Sequence, residues 1–450
     1  MNPFLFAGAA QTDITPPLGT IVNGEMVAYY AHTIHDHLYS KALVLKDDSN
    51  TIAIIMVDIC VMDADFIDEV KNDIFLKTQI PPENILIAAT HTHFAGSIAD
   101  LLGSPCDLPY RKGLGKKIAH SLLSAMANLQ PARIGLTAVD VPEHVVCRRY
   151  YMKTGYQSIN PVTGKPDIIK TNPAGAEAYI DKRASEMDTQ LSAIAVQSIE
   201  GKWISILGNY SMHYVGDCSN GTITADYFGV FSRHIKNFLG AGDDFVGMLS
   251  NGTSGDANIW DFLQPDRYPK EDHQKKELIG KDLAEKINQV IQTIIWESHP
   301  SVSATLKKIT LGVRKPTAGE VEAAGKIVAN TDYRLLNPDT PALVNIYARE
   351  QVLLGEYPDT IEIPVQALKI GDITIGALGG EFFAETGLAL KKANHAGKYF
   401  TITMANGYCG YIPPAHEIEK GGYETWRCRS SFVKEDGEQI ARNTLMGIAQ

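Results

Sequence analysis

The sequence predicts an α/β fold, with a mixed β-sheet core flanked by helices, on three observations. Apolar runs with strand character alternate with segments of helical periodicity. The run Ile85–Ala89 is apolar throughout, which is typical of a strand covered on both faces. Polar clusters follow directly after several such runs, which is where α/β sheets place their sites.

The individual elements follow from the spacing of apolar residues. Phe66, Val70 and Ile74 recur at every fourth position, which indicates a helix. The pattern predicts strands at 42–45, 51–58, 85–89, 133–139, 191–196, 203–208, 245–249, 301–315, 361–370, 373–378 and 400–404. It predicts helices at 65–77, 112–129, 226–239, 275–295, 318–330 and 382–394. No internal repeat or boundary interrupts the pattern, so we expect one domain over residues 1–450.

One stretch departs from this regularity. Residues 147–187 are rich in Tyr, Asn, Pro, Gly and Lys and show no periodicity. The sequence on both sides has strand character, so we expect an inserted loop over the site rather than a linker.

The composition excludes some classes of function. With 41 basic and 52 acidic residues the net charge is −11, which argues against a nucleic-acid binder that relies on Lys/Arg clusters. The apolar run 51–57 is too short to span a bilayer, and no signal-peptide pattern begins the chain. The sequence therefore does not identify the cellular compartment, and export is possible if a signal peptide was trimmed. The six cysteines are scattered without a C-x-x-C pair, so they predict neither a disulfide framework nor a thiolate zinc site.

Two histidines follow the central apolar run, in the sequence Thr90-His91-Thr92-His93. Residues i and i+2 of an extended chain point to the same side, so both imidazoles can face one pocket. Neutral imidazole is a common zinc ligand and carries protons near neutral pH. Because His-x-His is a weak signal, a surface loop with two histidines is the alternative.

Further polar groups follow other predicted strands. They are His213, the stretch 251–258, Glu381, and the pair Tyr408 and Tyr411. Each has an ordinary structural explanation, such as a core histidine or a carboxylate at a helix N-terminus. Their recurrence at strand ends favours a shared site. The stretch 34–39, with His35 and His37, is interpreted as structural, with a place in the lining of the site as the alternative.

Eight blocks in one order resemble the catalytic domain of the neutral (non-lysosomal) ceramidases and their shorter bacterial relatives. The blocks are 8–16, 34–39, 89–93, 209–213, 224–229, 251–258, 380–382 and 406–411. Several blocks in one order are more specific than any single motif. The resemblance implies the ceramidase catalytic fold and a bacterial, ceramidase-like hydrolase.

The resemblance implies a zinc ion held by His91, His213, Glu381 and Tyr411. Nitrogen and oxygen ligands suit zinc, although a tyrosine ligand is unusual. Such a site lowers the pKa of a bound water and polarises a carbonyl.

The resemblance also implies catalytic roles beside the metal. His93, next to a ligand, suits general acid/base work. Tyr423, twelve residues after Tyr411, matches the family tyrosine that supports the oxyanion. Arg148 matches a family active-site arginine, with Arg149 as the alternative.

The chain departs from the ceramidases within the block 251–258. The family sequence there ends in Ser-Pro-Asn with a catalytic serine, whereas Asp256-Ala257-Asn258 occupies these places here. Aspartate cannot replace a hydroxyl nucleophile, but it could deprotonate a water or contact a second cation; Ser254 is a weak substitute. The length of 450 residues also leaves no room for the C-terminal β-domain of full ceramidases.

We therefore expect a zinc-dependent hydrolase that cleaves an amide (N-acyl) bond through a zinc-activated water, with His93 and Asp256 managing protons. The expected substrate is a small or lipid-like molecule, with Arg148 binding its anionic or polar group. One alternative is a zinc hydrolase of an ester, lactone or glycosidic bond. The other is a non-catalytic binding protein with the same fold.

Overall fold

The computed structural model describes residues 5–336, 342–394 and 398–449. Its helices are α1 (Ala64–Thr78), α2 (Leu108–Ala127), α3 (Asp226–Phe238), α4 (Gln274–Val290), α5 (Ala318–Val328), α6 (Leu343–Gly355), α7 (Ala384–Ala393), α8 (Ala415–Lys420) and α9 (Gly437–Ala449). Its strands are β1 (Leu5–Asp13), β2 (Ile21–Val22), β3 (Tyr29–Tyr30), β4 (Thr33–Ile34), β5 (Tyr39–Lys46), β6 (Thr51–Val57), β7 (Ile85–Ala89), β8 (Gln130–Asp140), β9 (Val146–Cys147), β10 (Arg149–Met152), β11 (Ser158–Ile159), β12 (Pro166–Asp167), β13 (Ile169–Thr171), β14 (Ile180–Arg183), β15 (Gln190–Ser198), β16 (Trp203–Tyr210), β17 (Thr222–Ile223), β18 (Val246–Asn251), β19 (Ala257–Asn258), β20 (Val302–Gly312), β21 (Thr360–Ile370), β22 (Ile373–Leu378), β23 (Glu381–Phe382), β24 (Tyr399–Ile402) and β25 (Tyr411–Ile412).

Two mixed sheets form the centre of the fold. The larger has eight strands in the order β18-β16-β15-β8-β1-β5-β6-β7. Its outermost pairs, β18 with β16 and β6 with β7, are parallel, and the pairs between them are antiparallel. The smaller sheet runs β20-β21-β22-β24, with β22 and β24 parallel. The predicted α/β class with a mixed sheet is confirmed.

The two sheets pack face to face between layers of helices. One buried cluster joins Ile54 and Leu86 of the large sheet to Leu368 and Phe400 of the small sheet. Helices α1 and α2 cover the outer face of β5, β6 and β7, while α3 and α4 cover β15, β16 and β18. Helices α7 and α9 cover the outer face of the small sheet. Strands β6 and β7 are therefore buried on both faces, which explains their unbroken apolar sequence.

Some elements differ from the sequence prediction. The predicted helix 382–394 begins at Ala384, because Glu381 and Phe382 form β23 and pair with β25. Helices α6 and α9 were not predicted. In α9 the buried residues Ala441, Leu445 and Ile448 follow a helical spacing that could have been found.

The segment 147–187 carries secondary structure that its composition did not predict. Strand β10 lies between β13 and β14 in a small antiparallel sheet, and β11 pairs with β12. The expected irregular loop is thus a folded insertion. Together with the adjoining β9–β10 junction it places Arg148, Thr171 and Asn172 in the wall of the cavity described below.

A short segment after β24 joins the two edges of the large sheet. The Thr403 amide donates to the Asn251 carbonyl at 2.9 Å, at the end of edge strand β18. The Ala89 amide donates to the Met404 carbonyl at 3.1 Å, at the end of the other edge strand, β7. The ends of two strands that are farthest apart in the strand order are thereby connected through residues 403–406.

We expect Asn406→Ala to lower the free energy of unfolding by about 1–3 kcal/mol, because it removes two buried hydrogen bonds. Asn406 Oδ1 accepts from the Ile87 amide at 3.2 Å, and Nδ2 donates to Gln366 Oε1 at 2.7 Å. The measurement is urea denaturation followed by circular dichroism. The control Asn237→Ala removes an exposed amide from α3, and its stability should change by less than about 0.5 kcal/mol. Equal stability of the two variants would contradict the role of residues 403–406 in connecting the two edge strands.

Candidate active site

Residues that follow strands of both sheets meet at one point. His91 follows β7, His213 follows β16, and Glu381 follows β22. The three side chains are buried, and one nitrogen or oxygen atom of each lies within 4.8 Å of the others. The structure therefore brings together three of the four predicted zinc ligands.

Backbone carbonyls orient the two imidazoles. His91 Nδ1 lies 2.9 Å from the Cys60 carbonyl oxygen, and His213 Nδ1 lies 3.4 Å from that of Ser254. A proton on Nδ1 donated to the carbonyl leaves Nε2 free, which is the usual arrangement of metal-bound histidines. These Nε2 atoms lie 3.5 Å (His91) and 3.9 Å (His213) from Glu381 Oε2.

The backbone of His91 is strained. Its φ is 71°, in the left-handed region that residues other than glycine rarely adopt and that recurs at functional sites. Strand β7 already ends at Ala89, so the alternation of an extended strand does not place the two histidines. Their rings nevertheless meet, with centroids 4.8 Å apart. The two imidazoles are therefore close together as expected, but through a different backbone geometry, and of the two only His93 lines the cavity described below.

Glu381 supplies the carboxylate of the cluster that it forms with His91 and His213. Its Oε1 accepts a hydrogen bond from the Tyr408 hydroxyl at 2.7 Å. Its Oε2 is buried and has no hydrogen-bond partner within the described residues. A buried carboxylate oxygen without a hydrogen bond is costly, and a cation bound between Oε2 and the two imidazoles would reduce that cost. The donor types and this oxygen fit a zinc ion.

Nearby charges keep Glu381 ionised. Burial raises the pKa of Glu381, but His91 and Arg148 more than offset this and hold it below its ordinary value. Tyr411 lies opposite Glu381 in the parallel pairing of β23 with β25. Burial raises the pKa of Tyr411 well above its ordinary value, so its side chain is a neutral phenol in this structure. That the four residues are zinc ligands stays a prediction.

A cavity of about 280 Å³ lies beside the cluster. Its aromatic walls are Tyr214, Trp260, Tyr411, Tyr423 and Trp426. Its polar lining includes Glu25, His93, Arg148, Asn172, His213 and Asn258. The predicted catalytic residues His93, Arg148 and Tyr423 therefore share one cavity with two predicted ligands. A pocket with several aromatic walls and a few convergent polar groups is typical of a small-molecule site.

His93 is held between the cluster and an aromatic ring. Its Nε2 lies 3.4 Å from His91 Nε2, and its ring stacks on Tyr214 with centroids 3.7 Å apart. Burial, His91 and Arg148 lower the pKa of His93 well below its ordinary value, so the imidazole is neutral. Gly24 packs against it with a φ of 105°, and a Cβ atom there would lie 2.5 Å from His93 Nδ1.

The structure distinguishes the two candidate arginines. Arg148 lines the cavity, and its Nε donates to Glu424 Oε1 at 2.7 Å. Arg149 is fully buried outside the cavity wall and donates to Glu424 Oε2 at 2.8 Å and Glu417 Oε2 at 2.9 Å. Only the first of these two guanidinium groups can meet a substrate in this cavity.

Tyr423 lies in the cavity wall beside Tyr411, with ring centroids 5.7 Å apart. Burial raises the pKa of Tyr423 above its ordinary value, so its hydroxyl is a hydrogen-bond donor at neutral pH. This state is the one that support of a developing oxyanion requires.

Asp256 lies outside the cavity lining. Its Oδ1 accepts from the Ala384 amide at the start of α7, and its Oδ2 accepts from Ser185, each at 2.8 Å. Burial raises the pKa of Asp256 to about 6. The predicted catalytic role of Asp256 is untested, but both oxygens are already used by the scaffold. His37 pairs with Asp13 at 2.7 Å on the surface, away from the cavity lining.

Some contributions to the site were not predicted from the sequence. Tyr408 was a candidate polar group at a strand end, but its hydrogen bond to Glu381 was not predicted. Tyr214 was missed although it directly follows His213. Cys60 was also missed: its backbone carbonyl lies 2.9 Å and its Sγ 3.8 Å from His91 Nδ1, and a scattered cysteine gave no signal in the sequence.

Comparisons with known proteins locate this arrangement in a known fold. No protein-family profile and no curated protein sequence matches the chain. A solved structure described as a ceramidase complexed with C2 matches with a TM-score of 0.73 and 16% identity, over 99% of this chain and 75% of that one. The neutral ceramidase of Pseudomonas aeruginosa matches with a TM-score of 0.73 and 17% identity, over 100% of this chain and 74% of that one.

The chain has the neutral ceramidase fold. At 16% and 17% identity the likeness establishes the fold. At the level of the fold, it confirms the family resemblance that the eight sequence blocks indicated. Within the described residues of this ceramidase fold, no helix is long and apolar enough to cross a membrane.

We expect the purified protein to bind about one zinc ion per chain and His213→Ala to lose it, because one of the clustered nitrogen donors is removed. Elemental analysis of both proteins after dialysis measures this. His120→Ala, which removes an exposed histidine of α2, should keep the metal of the wild type. Full zinc content in His213→Ala would refute the ligand assignment.

We expect Tyr408→Phe to weaken zinc binding by about 10- to 100-fold, because Glu381 loses the hydrogen bond that orients it. Competition with a chelator measures the affinity. Tyr30→Phe, at an exposed tyrosine, is the matched control and should bind zinc as the wild type does. Equal affinities in the two variants would show that the Tyr408 hydroxyl does not orient the ligand.

Proposed function

We propose that this chain is a zinc-dependent hydrolase that cleaves an amide (N-acyl) bond. The observation that carries the proposal is the cluster of His91, His213 and Glu381 beside a cavity, with a buried Glu381 oxygen that accepts no hydrogen bond from a described residue. The fold shared with two ceramidases supports an amide as the bond class.

The proposed metal site consists of His91, His213, Glu381 and Tyr411. Zinc bound there would lower the pKa of water and polarise a carbonyl oxygen. The carbonyls of Cys60 and Ser254 and the hydroxyl of Tyr408 hold these side chains in place.

His93 is the proposed proton carrier. Hydrolysis adds water across the C–N bond, so one proton must leave the water and one must reach the nitrogen. Neutral His93 accepts the proton as the water oxygen attacks the carbonyl carbon, and returns it to the nitrogen as the C–N bond breaks. Its place in the cavity wall, 3.4 Å from His91 Nε2, supports this role.

Tyr423 and Arg148 are the proposed donors to the substrate. The neutral Tyr423 hydroxyl donates to the carbonyl oxygen as negative charge develops on it. Arg148 binds a polar group beside it and orients the two tyrosines, since its guanidinium carbon lies 5.3 Å from the Tyr411 ring and 6.0 Å from the Tyr423 ring.

Asp256 enters this proposal as a positioning residue rather than as the second proton carrier expected from the sequence. Its carboxylate connects the insertion, through Ser185, to the start of α7, through Ala384. This helix begins three residues after the ligand Glu381, so the contact fixes the segment that carries the ligand.

We expect His93→Ala to lower kcat for amide hydrolysis by about 10²- to 10⁴-fold while it keeps its zinc. The substrates are a panel of acyl amides, esters, lactones and glycosides, assayed on zinc-loaded protein. His37→Ala, at an exposed histidine paired with Asp13, is the control and should retain wild-type activity.

The panel also tests the bond class. Hydrolysis of an ester or glycoside without any amide would replace the amide proposal with the other bond class. Bound zinc without hydrolysis of any member would favour the non-catalytic alternative.

A further inference from the structure

One acidic side chain in the cavity wall has no role in the proposed reaction. Glu25 lines the cavity together with His93 and Arg148. Its backbone is anchored, because its carbonyl accepts from the Gly103 amide at 3.1 Å and from Ser104 Oγ at 3.4 Å. Glu25 is therefore held in the wall by backbone contacts while its side chain is left for the cavity.

The loop that carries Glu25 lies directly against His93. Asn23 donates to Ser97 Oγ at 2.7 Å and to the Ala99 carbonyl at 2.9 Å, which fixes the start of the loop. Gly24 has a φ of 105° and lies against His93, where no side chain would fit. Glu25 follows directly, so its position is tied to that of the proposed proton carrier.

The carboxylate of Glu25 has neither a hydrogen bond nor an ion pair with another described residue. Burial alone raises the pKa of Glu25 to about 7. A desolvated carboxyl group without a partner gains from any cation that enters beside it, since opposite charge restores the ionised form.

The other charge in the cavity wall is already matched. The Arg148 guanidinium is paired with Glu424, and its Nη2 donates to the Gly255 carbonyl at 2.7 Å. Of these two charged side chains, Glu25 is therefore the one whose charge is left for a ligand. This differs from the sequence expectation that Arg148 recruits an anionic group.

The remaining walls suit a cation. The rings of Tyr214 and Trp260 stand edge to face with centroids 6.2 Å apart, and Tyr423 and Trp426 do so at 6.1 Å. Aromatic faces attract ammonium groups through the ring quadrupole, most strongly where water is excluded. A carboxylate and several aromatic rings in one small cavity together favour a positively charged nitrogen over a neutral group.

We propose that Glu25 binds a protonated amino group of the substrate, so that the preferred substrate is an amide carrying a second, positively charged amine, such as a mono-acylated diamine. The identity of the substrate rests on the amide hydrolysis proposed above, whereas the cation subsite does not depend on any turnover.

The subsite is tested first by binding. Butylammonium and butanol, which have no bond to hydrolyse, are titrated into zinc-loaded wild type, Glu25→Gln and Glu322→Gln by calorimetry. Glu322→Gln removes the same charge from the surface of α5, where Glu322 pairs with Lys326 at 2.9 Å. Wild type and Glu322→Gln should bind butylammonium at least about tenfold more tightly than butanol, and Glu25→Gln should lose this preference.

The substrate class is tested next with three amides of similar length on the same proteins. They are mono-acetylated butanediamine, mono-acetylated aminobutanol and N-pentylacetamide. For the wild type, kcat/KM should be at least about tenfold higher for the diamine derivative, mainly through KM. In Glu25→Gln the three values should converge. Faster turnover of the aminobutanol derivative would make a hydroxyl group the natural partner and overturn the cationic substrate.

The outcomes separate the two proposals. Butylammonium selectivity that depends on Glu25, without hydrolysis of any amide, would keep the cation subsite and refute the amidase. Amide hydrolysis without any preference for the charged substrate would keep the amidase and refute the cation subsite. A loss of zinc in Glu25→Gln would show that Glu25 serves the metal centre and would overturn the subsite. Thermal unfolding by circular dichroism confirms that Glu25→Gln is folded as the wild type is.

Discussion

The hydrogen bonds of residues 403–406 are the constraint on which the candidate site depends. The edge strands β7 and β18 lie at opposite ends of the large sheet, yet both contact this one segment of the small sheet. His91 follows the first edge, and Ser254, whose carbonyl orients His213, follows the other. The segment thus contacts the two strand ends that these residues follow. The cluster is therefore a property of how two sheets meet rather than of either sheet alone.

Much of this arrangement was predictable because its signals are local. An unbroken apolar run predicts a doubly covered strand, and a four-residue spacing predicts a helix, so most strands of the two central sheets and most of the longer helices were found near their observed bounds. The order of short blocks indicated His91, His213 and Glu381. The packing of the two sheets could not be predicted from such local signals, since it depends on contacts between residues far apart in sequence. Glu25 had no signal either, because a lone acidic residue in a loop resembles ordinary surface until its surroundings are known.

The position of Asp256 shows how a family resemblance and local chemistry can differ. By sequence it occupies the place of a catalytic serine in the ceramidases. In this structure both of its oxygens accept hydrogen bonds, from Ser185 and from the Ala384 amide. The latter bond places a carboxylate at the N-terminus of α7, where the helix dipole favours negative charge. These two contacts give Asp256 a structural explanation, while its predicted catalytic role stays untested.

The buried charges around the cavity differ in how they are paired. Glu424 accepts from both Arg148 and Arg149, and Glu417 accepts from Arg149, so these charges form one buried network. Breaking one partner of such a network leaves an uncompensated buried charge, which is strongly destabilising. A substrate can bind Arg148 only through the N–H groups that Glu424 and Gly255 leave unused. Glu25 lies outside this network, so a substrate cation could pair with it without breaking an existing hydrogen bond or ion pair of its carboxylate.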